Sequence, residues 1–160
     1  MHQYGSGVTK NVARANDAYT RGCNGGEALC CSNIAALHYE GAFGAPDFSR
    51  ARRLYQAACS MKSFRACAHS GGMHERGEGG PKQLEKAAQL YKLACEDKNN
   101  FSNSALIGCA KLGDLYQHGR GVPQDLAKAK ALYVKSCELR EGGSADKATA
   151  DYACTQARAR

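Results

Sequence analysis

The chain has 160 residues and a net charge of +7, with 22 Lys and Arg against 15 Asp and Glu. That length suits one compact domain or a short repeat array. No run of about eighteen apolar residues occurs, which excludes a membrane-spanning helix and membrane insertion through one. The basic residues are scattered and form no stripe interleaved with aromatics, so no nucleic acid is expected as a partner and anionic surfaces are favoured only weakly.

Nine cysteines are far above ordinary usage. In an oxidising compartment such a count means a disulfide framework; in a reducing one it means metal or catalysis. Spacing decides between them. There is no Cys-x-x-Cys pair, no haem-attachment motif and no zinc-finger spacing, so no metal and no cofactor is expected. The odd count leaves at least one thiol unpaired within the chain.

The cysteines also mark a repeat. Cys23, Cys59, Cys95 and Cys137 are spaced 36, 36 and 42 apart. Tyr19, Tyr55, Tyr91 and Tyr133 keep the same intervals, as do Ala15, Ala51, Ala87 and Ala129, and Gly5, Gly41, Gly77 and Gly119. Taken in chain order, residues 1–23 read as a partial repeat. Met1 to Tyr4 align with the last turn of a first helix, Gly5-Ser6-Gly7-Val8 with the turn, and the stretch from about Val12 to Cys23 with a second helix. The array thus starts inside a repeat, as expected of an excised fragment, a mis-assigned start or an edge covered by another chain. The last of these would allow self-association through the incomplete N-terminal repeat.

Residues 24–59 and 60–95 are full repeats, and 96–137 is a repeat with a loop insertion in the polar stretch between Cys95 and Cys109. In this last copy Ala105 to His118 has apolar residues at helical spacing, namely Ile107, Leu112, Leu115 and Tyr116. Gly119 supplies a left-handed closing residue and Pro123 cannot continue the helix. A second helix runs from about Asp125 to Cys137. Residues 138–160 read as a C-terminal capping helix. A pair of helices this short cannot bury both apolar stripes alone, so stacked neighbours must cover them.

A cysteine ends each second helix and another begins the next first helix. The expected bridges are Cys23–Cys31, Cys59–Cys67, Cys95–Cys109 and Cys137–Cys154. Cys30 is the alternative partner for Cys23, but the eight-residue register shared with Cys59–Cys67 favours Cys31. Each short loop so closed contributes about 2.5 kcal/mol by the chain-entropy argument. Cys30 is then the free thiol, either a packed side chain or one competent for exchange.

These residues resemble the Sel-1-like repeats, relatives of the tetratricopeptide repeats. Leu112-Gly113, Tyr116, Gly119-Arg120-Gly121-Val122, Asp125, Ala129, Tyr133 and Cys137 follow that pattern. The copy from Cys31 departs from it at Ile34-Ala35 and Phe43, and the copy from Cys67 has Ser70-Gly71 and Gly77-Glu78-Gly79. The cysteine staples are most similar to those of the Helicobacter cysteine-rich proteins. The resemblance implies an all-α, right-handed α/α solenoid. It implies a non-catalytic scaffold that binds a protein or peptide and is secreted or periplasmic. By analogy with tetratricopeptide repeats, its concave surface would present Tyr39, Glu40, Arg65, Glu75, Arg76, Asp114, Gln117 and His118. A mitochondrial intermembrane-space assembly factor with redox or haem chemistry is a further relative in style.

The Helicobacter subgroup is also associated with penicillin binding and weak β-lactamase activity. One Ser-x-x-Lys occurs, Ser144 to Lys147, but neither Ser-Asp-Asn nor Lys-Thr-Gly accompanies it. Ser144 therefore reads as a helix N-cap, and no catalytic residue is expected. His2, His38 and His74 share one column, 36 apart, where Tyr116 stands in the last repeat. Stacked helices lie about 10 Å apart, too far for one directly shared metal, so the column reads as packing.

Overall fold

The computed structural model describes residues 4–98, 103–140 and 147–159, and among these it holds eight helices and no strand. They are α1 (Tyr4–Asn24), α2 (Ala28–Glu40), α3 (Phe48–Ser60), α4 (Phe64–Arg76), α5 (Leu84–Cys95), α6 (Asn103–His118), α7 (Leu126–Arg140) and α8 (Lys147–Arg158). Helices consecutive in the chain pack together. In addition α6 touches both α4 and α8, whereas α3, α5 and α7 stand apart from one another. The even-numbered helices therefore form the crowded inner layer of an α/α solenoid and the odd-numbered ones its outer layer. His2, Ser144 and part of the predicted loop insertion lie outside the described residues.

The turn inside each repeat is set by backbone geometry. Gly41, Gly77 and Gly119 end α2, α4 and α6 at φ of 73°, 73° and 62°, a conformation that a Cβ disfavours. The next N–H reaches back to a carbonyl one turn earlier: Ala42 to Leu37, Glu78 to Met73 and Arg120 to Leu115, all at 2.9 Å. The turn then closes on the amides of Asp47, Gln83 and Asp125, which donate to the carbonyls of His38, His74 and Tyr116 at 2.8, 3.0 and 3.0 Å. Asp47 and Asp125 go on to cap the following helices, accepting from the amides of Arg50 and Lys128 at 2.9 Å.

A second glycine docks each turn on the preceding repeat. A Cβ at Gly79 would lie 2.2 Å from the Phe48 carbonyl oxygen, and one at Gly121 would lie 2.4 Å from the Leu84 carbonyl carbon. The loops thus rest backbone to backbone on the first turns of α3 and α5. The structure departs from the sequence reading at one turn. A turn was expected at Gly5 to Val8, yet α1 runs unbroken from Tyr4 to Asn24, with its backbone groups in helical hydrogen bonds.

Between repeats the connection is covalent. Cys23–Cys31, Cys59–Cys67, Cys95–Cys109 and Cys137–Cys154 join each outer helix to the next inner one, with Cα–Cα distances of 4.6, 4.7, 4.6 and 4.7 Å. These distances lie at the short end of the range usual for a disulfide, about 4.4–6.8 Å, so little room is left beside each bridge. The residue just before each bridged cysteine must then fit the crossing. These residues pair as Gly22 with Cys30, Ala58 with Ala66, Ala94 with Gly108 and Ser136 with Ala153. A Cβ at Gly22 would stand 2.4 Å from Cys30 Sγ, and one at Gly108 would stand 2.7 Å from Ala94 Cβ. At these two seams a glycine leaves room for the facing side chain.

The tyrosine column fills the space between layers. Tyr91 and Tyr133 are buried, and their rings lie where a Cβ at Gly71 or Gly113 would come within 2.8 or 3.0 Å. Burying an aromatic side chain of this size contributes roughly 1.5–3 kcal/mol. The family-type glycine on the inner helix is thus a flat seat for the ring.

Alanine ordinarily stabilises a helix interior relative to glycine. At Gly22 it should do the reverse, lowering the melting midpoint by about 3–8 °C through overpacking against Cys30. The double variant Gly22→Ala/Cys30→Ala recreates the Ala58–Ala66 pair and should melt at or above the parent temperature. Thermal unfolding followed by circular dichroism checks both. A single variant that melts no lower than the parent would refute the seam argument.

Candidate functional site

The inner helices present one repeated face. On α4 it carries Arg65, His69, Gly72 and Arg76, spaced as successive helical turns. The same positions on α6, 42 residues later, are Ile107, Lys111, Asp114 and His118. Between α4 and α6 opens a cleft of about 720 Å³. Tyr91, Ala68 and His69 form part of its lining, Phe64 and Ile107 give it an apolar side, and Arg65, Arg76 and Lys111 give it a basic one. Pockets of this size are typical of ligand sites.

His69, in the cleft lining, stacks its ring on the buried Tyr55, with centroids 4.9 Å apart and planes at 18°. His69 is reachable by solvent yet walled by protein. Burial first, and then the charges of Arg65 and Arg76, hold its pKa below the ordinary histidine value. Burial likewise pushes the Tyr55 hydroxyl up to about 12. At neutral pH both rings are therefore uncharged, a flat apolar pair in a basic surround.

The eight surface residues named from the sequence separate into groups. Arg65 and Arg76 line the cleft. Asp114 and His118 line an adjoining depression of about 440 Å³ with Arg120 and Tyr152. Tyr39 donates to Glu78 at 3.3 Å, and Glu40 is exposed at the end of α2. Glu75 is half-buried outside the cleft, accepting from the Tyr91 hydroxyl at 2.7 Å and pairing with Arg120 at 3.1 Å. The Gln117 side-chain oxygen lies 2.6 Å from the Tyr133 hydroxyl. Asp114 Oδ1 accepts from both Tyr133 and Tyr152 at 2.6 Å. Arg76 grips both oxygens of Glu78 at 2.9 Å, a bidentate pair that keeps this carboxyl below its usual pKa. Sequence reasoning missed His69, Lys111 and Ile107. The 42-residue interval that relates His69 to Lys111 and Arg65 to Ile107 was the available signal.

The histidine column is absorbed by packing. His38 is buried, with its ring 4.8 Å from that of Phe43. His74 is buried in a network around Arg52, whose guanidinium also donates to the Pro81 carbonyl at 3.1 Å and the Gln83 side chain at 3.1 Å. Gln56 completes the ring of contacts, 2.9 Å from His74 Nε2. Burial and then Arg52 lower the His74 pKa, so a neutral imidazole braces the α4–α5 turn against α3. Among the described residues no three His, Cys, Asp or Glu side chains converge as a metal site would require. Cys30 is the unpaired cysteine, half-buried, with its thiol 3.2 Å from Glu27 Oε2. That hydrogen bond first, then partial burial and the Glu27 charge, raise its pKa. The thiol is thereby kept protonated and poorly nucleophilic near neutrality.

Helix pairs stacked through glycine turns, with one disulfide per seam and a cleft on the inner layer, define a disulfide-stapled α/α repeat protein. The chain belongs to the Sel1 repeat family: Sel1 repeats match residues 1–26, 28–63, 65–99 and 106–140. Among solved structures it is similar to Helicobacter pylori cysteine rich protein B, at 27% identity over 94% of this chain and 98% of that one, with a TM-score of 0.64. A Sel1 repeat protein from Oxalobacter formigenes shares the fold at 20% identity over 86% and 96% of the two chains, with a TM-score of 0.68. So does a protective antigen of uropathogenic Escherichia coli strains, at 17% identity over 91% of this chain and 41% of that one, with a TM-score of 0.51. No curated protein matches the chain.

The Cys30 environment makes a pH-dependent prediction. Glu27→Gln removes the charge and the anionic acceptor, so the thiol pKa should fall and the thiolate fraction at pH 8 should rise. Iodoacetamide labelling of the oxidised protein at pH 8 is expected to run several-fold faster in the variant. The two rates should converge above the parent thiol's pKa. An unchanged or slower rate at pH 8 would contradict the assignment.

Proposed function

We propose that this chain is a non-catalytic scaffold that holds a protein or peptide segment against its inner layer, in an oxidising extracellular or periplasmic compartment. The observation that carries the reading is the cleft between α4 and α6. It combines about 720 Å³ of volume with an apolar side, a stacked His69–Tyr55 pair and several polar side chains. Such a mixture fixes an extended segment by shape and by a few placed polar contacts. Four disulfides among the described residues support the compartment, as does the likeness to a cysteine-rich protein at 27% identity.

Gly72 offers a direct test, because the three atoms nearest to a Cβ there all belong to the movable guanidinium of Arg76, the first at 2.9 Å. Gly72→Leu should therefore fill the cleft without disturbing the core. Peptides selected from a display library on the oxidised chain are expected to lose at least tenfold in affinity for the variant, with its melting midpoint retained. Selected binders indifferent to Gly72→Leu, or a library yielding none, would overturn the reading. Separately, Cys59→Ala/Cys67→Ala should lower unfolding stability by about 2.5 kcal/mol, measured by denaturant titration. A seam unaffected by losing its bridge would remove the argument for an oxidising setting.

A further inference from the structure

The charges on the inner layer are unevenly committed. Three acids near the cleft already have partners: Glu75 holds Arg120 and Tyr91, Glu78 holds Arg76, and Asp114 accepts from two tyrosines. Of the bases in the cleft, Arg76 is spent on Glu78. Arg65 lines the cleft from α4 and Lys111 from α6, and neither has an ion-pair partner among the described residues. Of the charged cleft residues Arg65, Arg76, Lys111 and Asp97, three are basic and one acidic. Phe64 and Ile107 lie beside this pair of bases.

From this we infer that the cleft selects an acidic peptide segment, with one carboxylate placed on Arg65, another on Lys111 and an apolar side chain between them against Phe64 and Ile107. The inference rests on the proposed peptide-holding role and adds the chemistry of the occupant. Helices packed about 10 Å apart, crossed by an extended chain that advances about 3.3 Å per residue, place the two carboxylates roughly three residues apart. The guanidinium of Arg65 suits a bidentate carboxylate contact, and the ammonium of Lys111 acts as a point charge. An overall charge of +7 steers the same class of partner toward the protein.

The test uses the full oxidised chain and a display library of random heptapeptides, with the Gly72→Leu variant removing binders that do not use the cleft. The retained pool should be enriched in Asp and Glu at positions about three apart. Its best member should bind at least tenfold more tightly than its Asn/Gln isostere, and more weakly as salt is raised. Arg65→Glu/Lys111→Glu should reverse the preference toward Lys-containing peptides, whereas Arg65→Lys/Lys111→Arg should keep it, with equal melting midpoints in both. A cleft-dependent pool without acidic enrichment would overturn the charge assignment while leaving the peptide-holding role intact. A single-stranded oligonucleotide that competes through the same two residues as tightly as the acidic peptide would overturn it too, in favour of a general anion site. A library with no cleft-dependent binder would overturn both readings.

Discussion

Everything in this molecule is arranged around the close approach of two backbones at each seam. A Cα–Cα distance of 4.6–4.7 Å between bridged cysteines leaves almost no room beside them. The positions just before those cysteines respond with glycine, alanine or serine, and the bulkier Cys30 is admitted only because Gly22 faces it. The staple is thus more than a covalent link. It sets the crossing point, and the crossing point sets which residues can flank it.

The rest of the repeat follows from how the other end of each helix pair is held. There the joint is a glycine turn that lies on the backbone of the preceding repeat, as Gly79 does on Phe48 and Gly121 on Leu84. Covalent and docked joints alternate along the array. Between them the tyrosine column seats its rings on Gly71 and Gly113 and sends its hydroxyls to Glu75 and Asp114. The same hydrogen bonds that order the inner layer also engage Glu75 and Asp114, while Arg65 and Lys111 have no ion-pair partner among the described residues.

Much of the fold was legible in the chain because recurring intervals place cysteine, tyrosine and glycine in equivalent positions. What was not legible was tertiary. Gly5 and Gly7 carry the turn composition, yet they lie inside α1, and composition does not distinguish a glycine in a turn from one carried within a helix. The inner surface was readable in part. Arg65 and Arg76 are recognisable as exposed polar residues on a helical face. Glu75 and Gln117 look the same in sequence, but a tyrosine from the neighbouring outer helix reaches each of them. His69 resembles any lone histidine until its stacking on Tyr55 is seen. The histidine column carried an interval as strict as the cysteines, and burial explains it: the three-dimensional partners of His74 are Arg52, Gln56 and Gln83, which lie in no column with it.

The order of the bridges along the chain has a consequence for biogenesis. They succeed one another without overlap or nesting, at separations of 8, 8, 14 and 17 residues. As the polypeptide emerges from its N-terminal end, both cysteines of each bridge are present before those of the next have appeared. Order of arrival thus favours correct pairing. Only the first seam departs from this scheme, since Cys30 arrives one residue ahead of Cys31. There the choice of partner falls to helix geometry, with Gly22 giving the early thiol a place to pack and Glu27 keeping it protonated.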